Sequence, residues 1–77
     1  MSGTIETLSA KLASDVLEIQ DAIGQERLYV EVGDVLAAAS QSLEEAFLTE
    51  VRVRLAERKA RDFLDQRIKD VTAKLQG

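Results

Sequence analysis

Apolar side chains recur along the first third of the chain at helical intervals. Ile5, Leu8, Leu12, Val16, Ile19 and Ile23 are separated by 3, 4, 4, 3 and 4 residues, which lines them up on one side of an α-helix. The acids Glu6, Asp15, Glu18 and Asp21 fall off that line. Thr4 is a suitable N-cap, and Gly24 suits a C-terminal residue that turns through positive φ. The pattern predicts a helix from Thr4 to Ile23 whose apolar line is its core face.

The next segment, Gln25 to Gly33, is richer in β-branched and aromatic residues. A short strand over 28–32 would need a partner, and the one other alternating stretch is 51–55. The flanks of 51–55 are strong helix formers, so a connecting loop is the expectation for Leu28 to Val32, with the strand pair as its alternative.

From Asp34 to Gln76 there is neither glycine nor proline. Val35, Leu36, Ala39, Leu43, Ala46 and Phe47 share one face, but its continuation meets Glu50, Arg54, Glu57 and Arg61. A second line in a different phase, made by Val53, Ala60, Leu64, Ile68, Val71 and Leu75 and flanked by Ala56 and Phe63, takes over. The change of phase predicts either a kink or turn near Leu48 to Glu50, with Thr49 capping the last helix, or one continuous helix whose halves face different neighbours. The expected fold is therefore all-α, a helical hairpin or three-helix unit with helices Thr4 to Ile23, Asp34 to Phe47 and Thr49 to Gln76, in a single domain spanning residues 1–77.

Composition sharpens this picture where it concerns stability. A domain of 77 residues buries about 60% of the surface of its unfolded chain. Neither a disulfide nor a Cys/His zinc site is open to a chain with no cysteine and no histidine. Pairing with a second copy is the remaining way to thicken the core, so a homo-oligomer, foremost a dimer, is expected. The longest apolar run, Val35 to Ala39, is too short to cross a bilayer. The opening residues carry neither a basic nor an apolar signal segment, and the expected location is cytoplasmic.

Charge is unevenly placed. Residues 1–50 carry ten acids and two bases, residues 51–77 four acids and eight bases, so two parts of opposite sign can lie against each other. Glu50/Arg54, Glu57/Arg61, Asp65/Lys69 and Asp70/Lys74 are acid-before-base pairs one helical turn apart, each worth about 0.2–0.5 kcal/mol to an exposed helix. Arg58 is within a turn of Asp62. Arg52, Lys59 and Arg67 are left without a favoured local partner and fall within about 80° of one another on the wheel, a ridge open to nucleic acid or an acidic partner.

The same inventory argues against catalysis. General acid–base and nucleophilic designs rely most often on an imidazole or a thiol, and the serines have no such base to activate them. No glycine-rich phosphate loop is present, and carboxylate pairs such as Asp15/Glu18 lie on the polar side of their helix. The expectation is a non-enzymatic, cofactor-free and metal-free protein that binds itself and another protein as an adaptor, regulator or inhibitor. Leu28, Tyr29, Val30, Phe47 and Phe63 are the candidate contacts, as large apolar groups near predicted turns. The alternatives are a weak nucleic-acid-binding regulator using Arg52, Lys59 and Arg67, and an inhibitor whose acidic first part imitates nucleic acid.

Overall fold

A computed structural model describes residues 3–76 and places nearly all of them in three helices: α1, Thr4–Ile23; α2, Leu28–Ala39; and α3, Gln41–Gln76. The all-α expectation holds, and no strand occurs among the described residues. Two of the expected boundaries are corrected. Leu28 to Val32 is neither loop nor strand but the first turn and a half of α2, so Asp34 lies inside that helix instead of capping it. The break in the second half falls at Ser40, not at Leu48 to Glu50, and Thr49 sits within an unbroken α3.

Side-chain chemistry accounts for both turns. α1 ends at Gly24, which adopts φ 69° and donates its N–H back to the Gln20 carbonyl; an L side chain there costs about 1–2 kcal/mol. The cap of α1 lies one residue earlier than expected, with Gly3 at the N-cap position and Thr4 already helical. The chain re-enters a helix at Leu28, where the side-chain Oε1 of Gln20 accepts a hydrogen bond from the Tyr29 N–H at 3.1 Å. An amide on one helix thus satisfies a free donor at the start of the next. Ser40 is extended, at φ −159° and ψ 106°. Its Oγ accepts from the Leu43 N–H at 3.2 Å, which is the N-cap geometry that starts α3.

The helices run up, down and up. Glu6 and Ser9 on α1 lie beside Ala46 and Glu50 on α3, and Asp21 near the end of α1 reaches Arg58, so α1 and α3 are roughly parallel with α2 antiparallel to both. Phe47 and Val51, with no exposed surface, project from α3 onto Ala13, Val16 and Leu17 of α1. Leu28, Tyr29, Val32 and Leu36 of α2 close the cluster. Close approach is arranged by small residues: Ser9 and Ala13 on α1 are buried, and a Cβ on the buried Gly33 of α2 would stand 3.4 Å from Leu48 Cδ2.

This buried face is not the predicted one. Ser9, Ala13, Val16, Leu17 and Gln20 face inward, roughly 85° around the helix from the line of larger residues. Val16 is shared and Leu12 is half-buried, but Ile5, Leu8, Ile19 and Ile23 are exposed. On α3 every residue from Ala56 to Gln76 is exposed, including the whole distal apolar line. Leu64 and the rest of that line are exposed in the single chain because α1 and α2 end before α3 does.

Variants should sort by this map in thermal melts followed by circular dichroism. Phe47→Ala is expected to cost about 3–5 kcal/mol, and Ser40→Ala about 1 kcal/mol. Gln20→Leu should cost about 1–3 kcal/mol by orphaning the Tyr29 N–H. Equal melting of Gln20→Leu and the parent chain would remove the inter-helix cap from this account. Gly33→Ala, which meets only an ordinary contact and gains helix propensity, is expected to hold or raise stability, while Gly24→Ala lowers it by about 1 kcal/mol.

Candidate interaction surfaces

Two apolar surfaces remain outside the bundle, and both are built by helical repetition. The first is the outer face of α1, where Ile5, Leu8, Ile19 and Ile23 are each about half exposed. Near its middle, Leu8 and Leu12 meet Leu43 of α3 in a shallow open groove with Lys11 and Asp15 on its rim. Those two rim residues are within 3.7 Å of each other as an i,i+4 ion pair. Asp15 and Glu18 also border the next groove along, with Ile19 and Ala22. The face is therefore an apolar strip edged by carboxylates.

The second surface is the distal half of α3. Val53, Phe63, Leu64, Ile68, Val71 and Leu75 are exposed, and Leu75 reaches 83%. Polar contacts here are local. Glu57 pairs with Arg61, Gln66 Nε2 donates to Asp70 Oδ1 at 3.0 Å, and the Arg67 guanidinium lies 5.2 Å over the Phe63 ring. Such contacts hold an exposed helix together without covering its apolar line.

Between these surfaces, α3 is tied to α1 by arginines. Arg54 pairs with Glu50 and donates to the Ala10 carbonyl at 3.3 Å. Arg58 turns away from Asp62 and meets Asp21 of α1 at 2.9 Å. That last contact is one instance of the acidic first part lying against the basic second part. Both side chains are about half exposed, so the pair fixes register more than it adds stability. Of the anticipated helical pairs, Glu50/Arg54 and Glu57/Arg61 form ion pairs; Asp65/Lys69 and Asp70/Lys74 are not among those formed by the described residues.

The candidate contact residues are separated by the fold. Leu28, Tyr29 and Val30 are half-buried at the start of α2, and Leu28 and Tyr29 pack on the core cluster. Phe47 is wholly enclosed and serves the interior. Phe63 is 61% exposed on the projecting part of α3, some distance from the other four. Arg52 borders a groove with Tyr29, Val30, Gly33, Asp34, Glu44 and Leu48. Lys59 and Arg67 stand further out, with Arg67 engaged by Phe63. From Arg52 to Arg67 the ridge covers about 22 Å of helix, enough for a few phosphate contacts.

Among the described residues, no group of three or more His, Cys, Asp or Glu side chains is placed to hold a metal ion. No helix is long and apolar enough to cross a membrane. Comparison with known protein families, characterised proteins and solved structures finds no match for the chain.

If the outer strip of α1 is not part of the chain's own core, polar substitutions there should leave the fold intact. Leu8→Asp and Ile19→Asp are each expected to move the unfolding free energy by no more than about 0.5–1 kcal/mol. Ala13→Asp, about one and a half turns from either and facing α3, should unfold the chain, and circular dichroism at a single temperature distinguishes the three.

Proposed function

We propose that this chain is a small, non-enzymatic protein-binding module of the cytoplasm, acting as an adaptor, regulator or inhibitor through helical faces and as a homo-oligomer. The observation that carries the reading is the outer strip of α1. Four large aliphatic residues are set at helical intervals over some 27 Å and left outside the bundle, while the bundle's own contacts use smaller neighbours such as Ser9 and Ala13. Isolated apolar residues are ordinary on protein surfaces, but a continuous strip edged by charge is the form in which helices meet partners. Helix-in-groove recognition uses anchors at i, i+3/i+4 and i+7, and Ile5, Leu8 and Leu12 supply that spacing, with Ile19 and Ile23 extending the strip.

The composition supports a role without catalysis: the chain holds no imidazole and no thiol, and the exposed grooves are shallow and lined chiefly by aliphatic side chains and carboxylates. A nucleic-acid reading would rest on Arg52, Lys59 and Arg67. Three phosphate contacts give a small counterion-release term, and Phe63, with Arg67 over its ring, is a single platform for base stacking.

The test uses the immobilised full-length chain and its Leu8→Asp/Ile19→Asp variant in extracts of the native host. A protein retained in stoichiometric amount by the parent chain and lost with the variant is the expected result. Identical retention by both would dismiss the α1 strip as the contact surface. Fluorescence anisotropy with labelled DNA and RNA at low salt is expected to stay flat, and saturable binding abolished by Arg52→Glu with Lys59→Glu would replace this function with the nucleic-acid one.

A further inference from the structure

α3 outruns the bundle. From Ala56 onward none of its residues is even half-buried, yet Ala60, Leu64, Ile68, Val71 and Leu75 follow one another at intervals of 4, 4, 3 and 4. That is the spacing of a two-helix seam. The line is turned about 130° around α3 from the Phe47 and Val51 face that grips α1 and α2. A second helix can therefore lie along it without meeting the bundle.

The amount of uncovered surface indicates what that second helix belongs to. The chain exposes 5962 Å², whereas a compact 8.5 kDa protein exposes about 4,650 Å². The excess of about 1,300 Å² exceeds the roughly 800 Å² that one partner contributes to a standard interface. The radius of gyration tells the same story: 16.6 Å against about 11.5 Å for a compact chain of this length. A copy of the same chain brings an equal excess, and pairing the two arms covers part of both.

Sequence then selects the direction. Glu57 lies on the same line, between Val53 and Ala60. A parallel pair would press two Glu57 carboxylates together in the seam. In an antiparallel pair with its two-fold axis beside Ile68, Ala60 lies opposite the second copy's Leu75 and Leu64 opposite its Val71, small against large. Glu57 then falls beyond the end of the overlap, free to keep its ion pair with Arg61. The geometry points to an antiparallel homodimer formed by the α3 arms over residues 60–75, with the two bundles at opposite ends and the α1 strips left open. This pairing rests on the reading of the chain as a helical interaction module, but uses a different face from the one assigned to the partner protein.

Light scattering on the full-length chain at micromolar concentration should return twice 8.5 kDa. Leu64→Asp/Ile68→Asp should return one chain's mass while keeping the near-ultraviolet signal of Tyr29, which reports the intact bundle. Since the chain has no cysteine, single substitutions on the rim report the direction with a short bis-maleimide. Arg67→Cys, beside the axis, is expected to cross-link to itself. Lys74→Cys, about 20 Å from its counterpart in this arrangement, is not. Efficient self-linking of Lys74→Cys would overturn the antiparallel order. A single-chain mass across the whole concentration series, or a dimer that survives the double aspartate substitution, would overturn the arm as the seam. The α1 variant's loss of partner retention is read separately, so pairing can fail while the partner-binding function stands.

Discussion

The structure depends on the grip of two α3 side chains, Phe47 and Val51, on α1. Both are fully enclosed, and they meet the small and medium residues Ala13, Val16 and Leu17 with α2 laid over the remaining side. The interior is a single cluster, so every other feature is placed relative to it. Ser9 and Ala13 are small buried residues on the face of α1 that meets α3. That contact encloses an aromatic ring in a chain of this size, and it determines which side of α1 is inward. Val16 and Leu17 of α1 join that interior, and Ile5, Leu8, Ile19 and Ile23, lying roughly a quarter of the way around the helix from its centre, end on the outside.

Polar groups then determine where each helix starts and stops. Gln20 is buried on α1 and receives the Tyr29 N–H, so the turn between α1 and α2 is held by a side chain from the helix it leaves. Ser40 ends α2 and begins α3 in one residue, since its extended backbone breaks the ladder while its hydroxyl oxygen accepts the Leu43 N–H. Arg54 and Arg58 reach from α3 to the Ala10 carbonyl and to Asp21. The uneven charge of the chain is used in part for this internal register. The remaining bases belong mainly to the projecting arm, where they alternate with acids and keep an uncovered helix solvated.

Helices were legible from the spacing of apolar residues, and the end of α1 from Gly24, because both signals are local. The inward face of α1 was not. Apolar spacing marks the large side chains of Ile5, Leu8, Ile19 and Ile23, whereas tertiary packing selects an adjoining face that includes a serine, an alanine and a glutamine. The start of α2 was missed for a related reason: Leu28 to Val32 resembles a strand in composition, and the donor it needs satisfied finds its acceptor on Gln20, nine positions away. The break at Ser40 did have a signal, a strong N-capping residue in Ser40-Gln41-Ser42 directly after an alanine run. It was outweighed by the change of phase near Thr49. That change is real, but α3 does not bend there: Val51 is enclosed beyond it, and α3 leaves the bundle only at Ala56. Of the candidate contacts, Phe47 was drawn into the interior by the same grip that exposes Phe63.

The change of phase also couples folding to association. An isolated helix of about 20 residues is marginal in water, since nucleation is costly and propagation gains little per residue. The arm from Ala56 to Gln76 is of that length and, beyond the Arg58–Asp21 ion pair, buries none of its residues against its own chain. Its continuity with the bundle removes the nucleation cost, and the Glu57/Arg61 pair, the Gln66 to Asp70 bond and the Arg67/Phe63 stack each add a few tenths of a kcal/mol or somewhat more. These local terms suffice to bias the arm toward a helix and not to lock it. Burying its apolar line against another helix supplies the missing stabilisation, at roughly 25 cal/mol for each Å² of apolar surface removed from water. Any helix that fills the seam therefore raises the order of the arm as it does so.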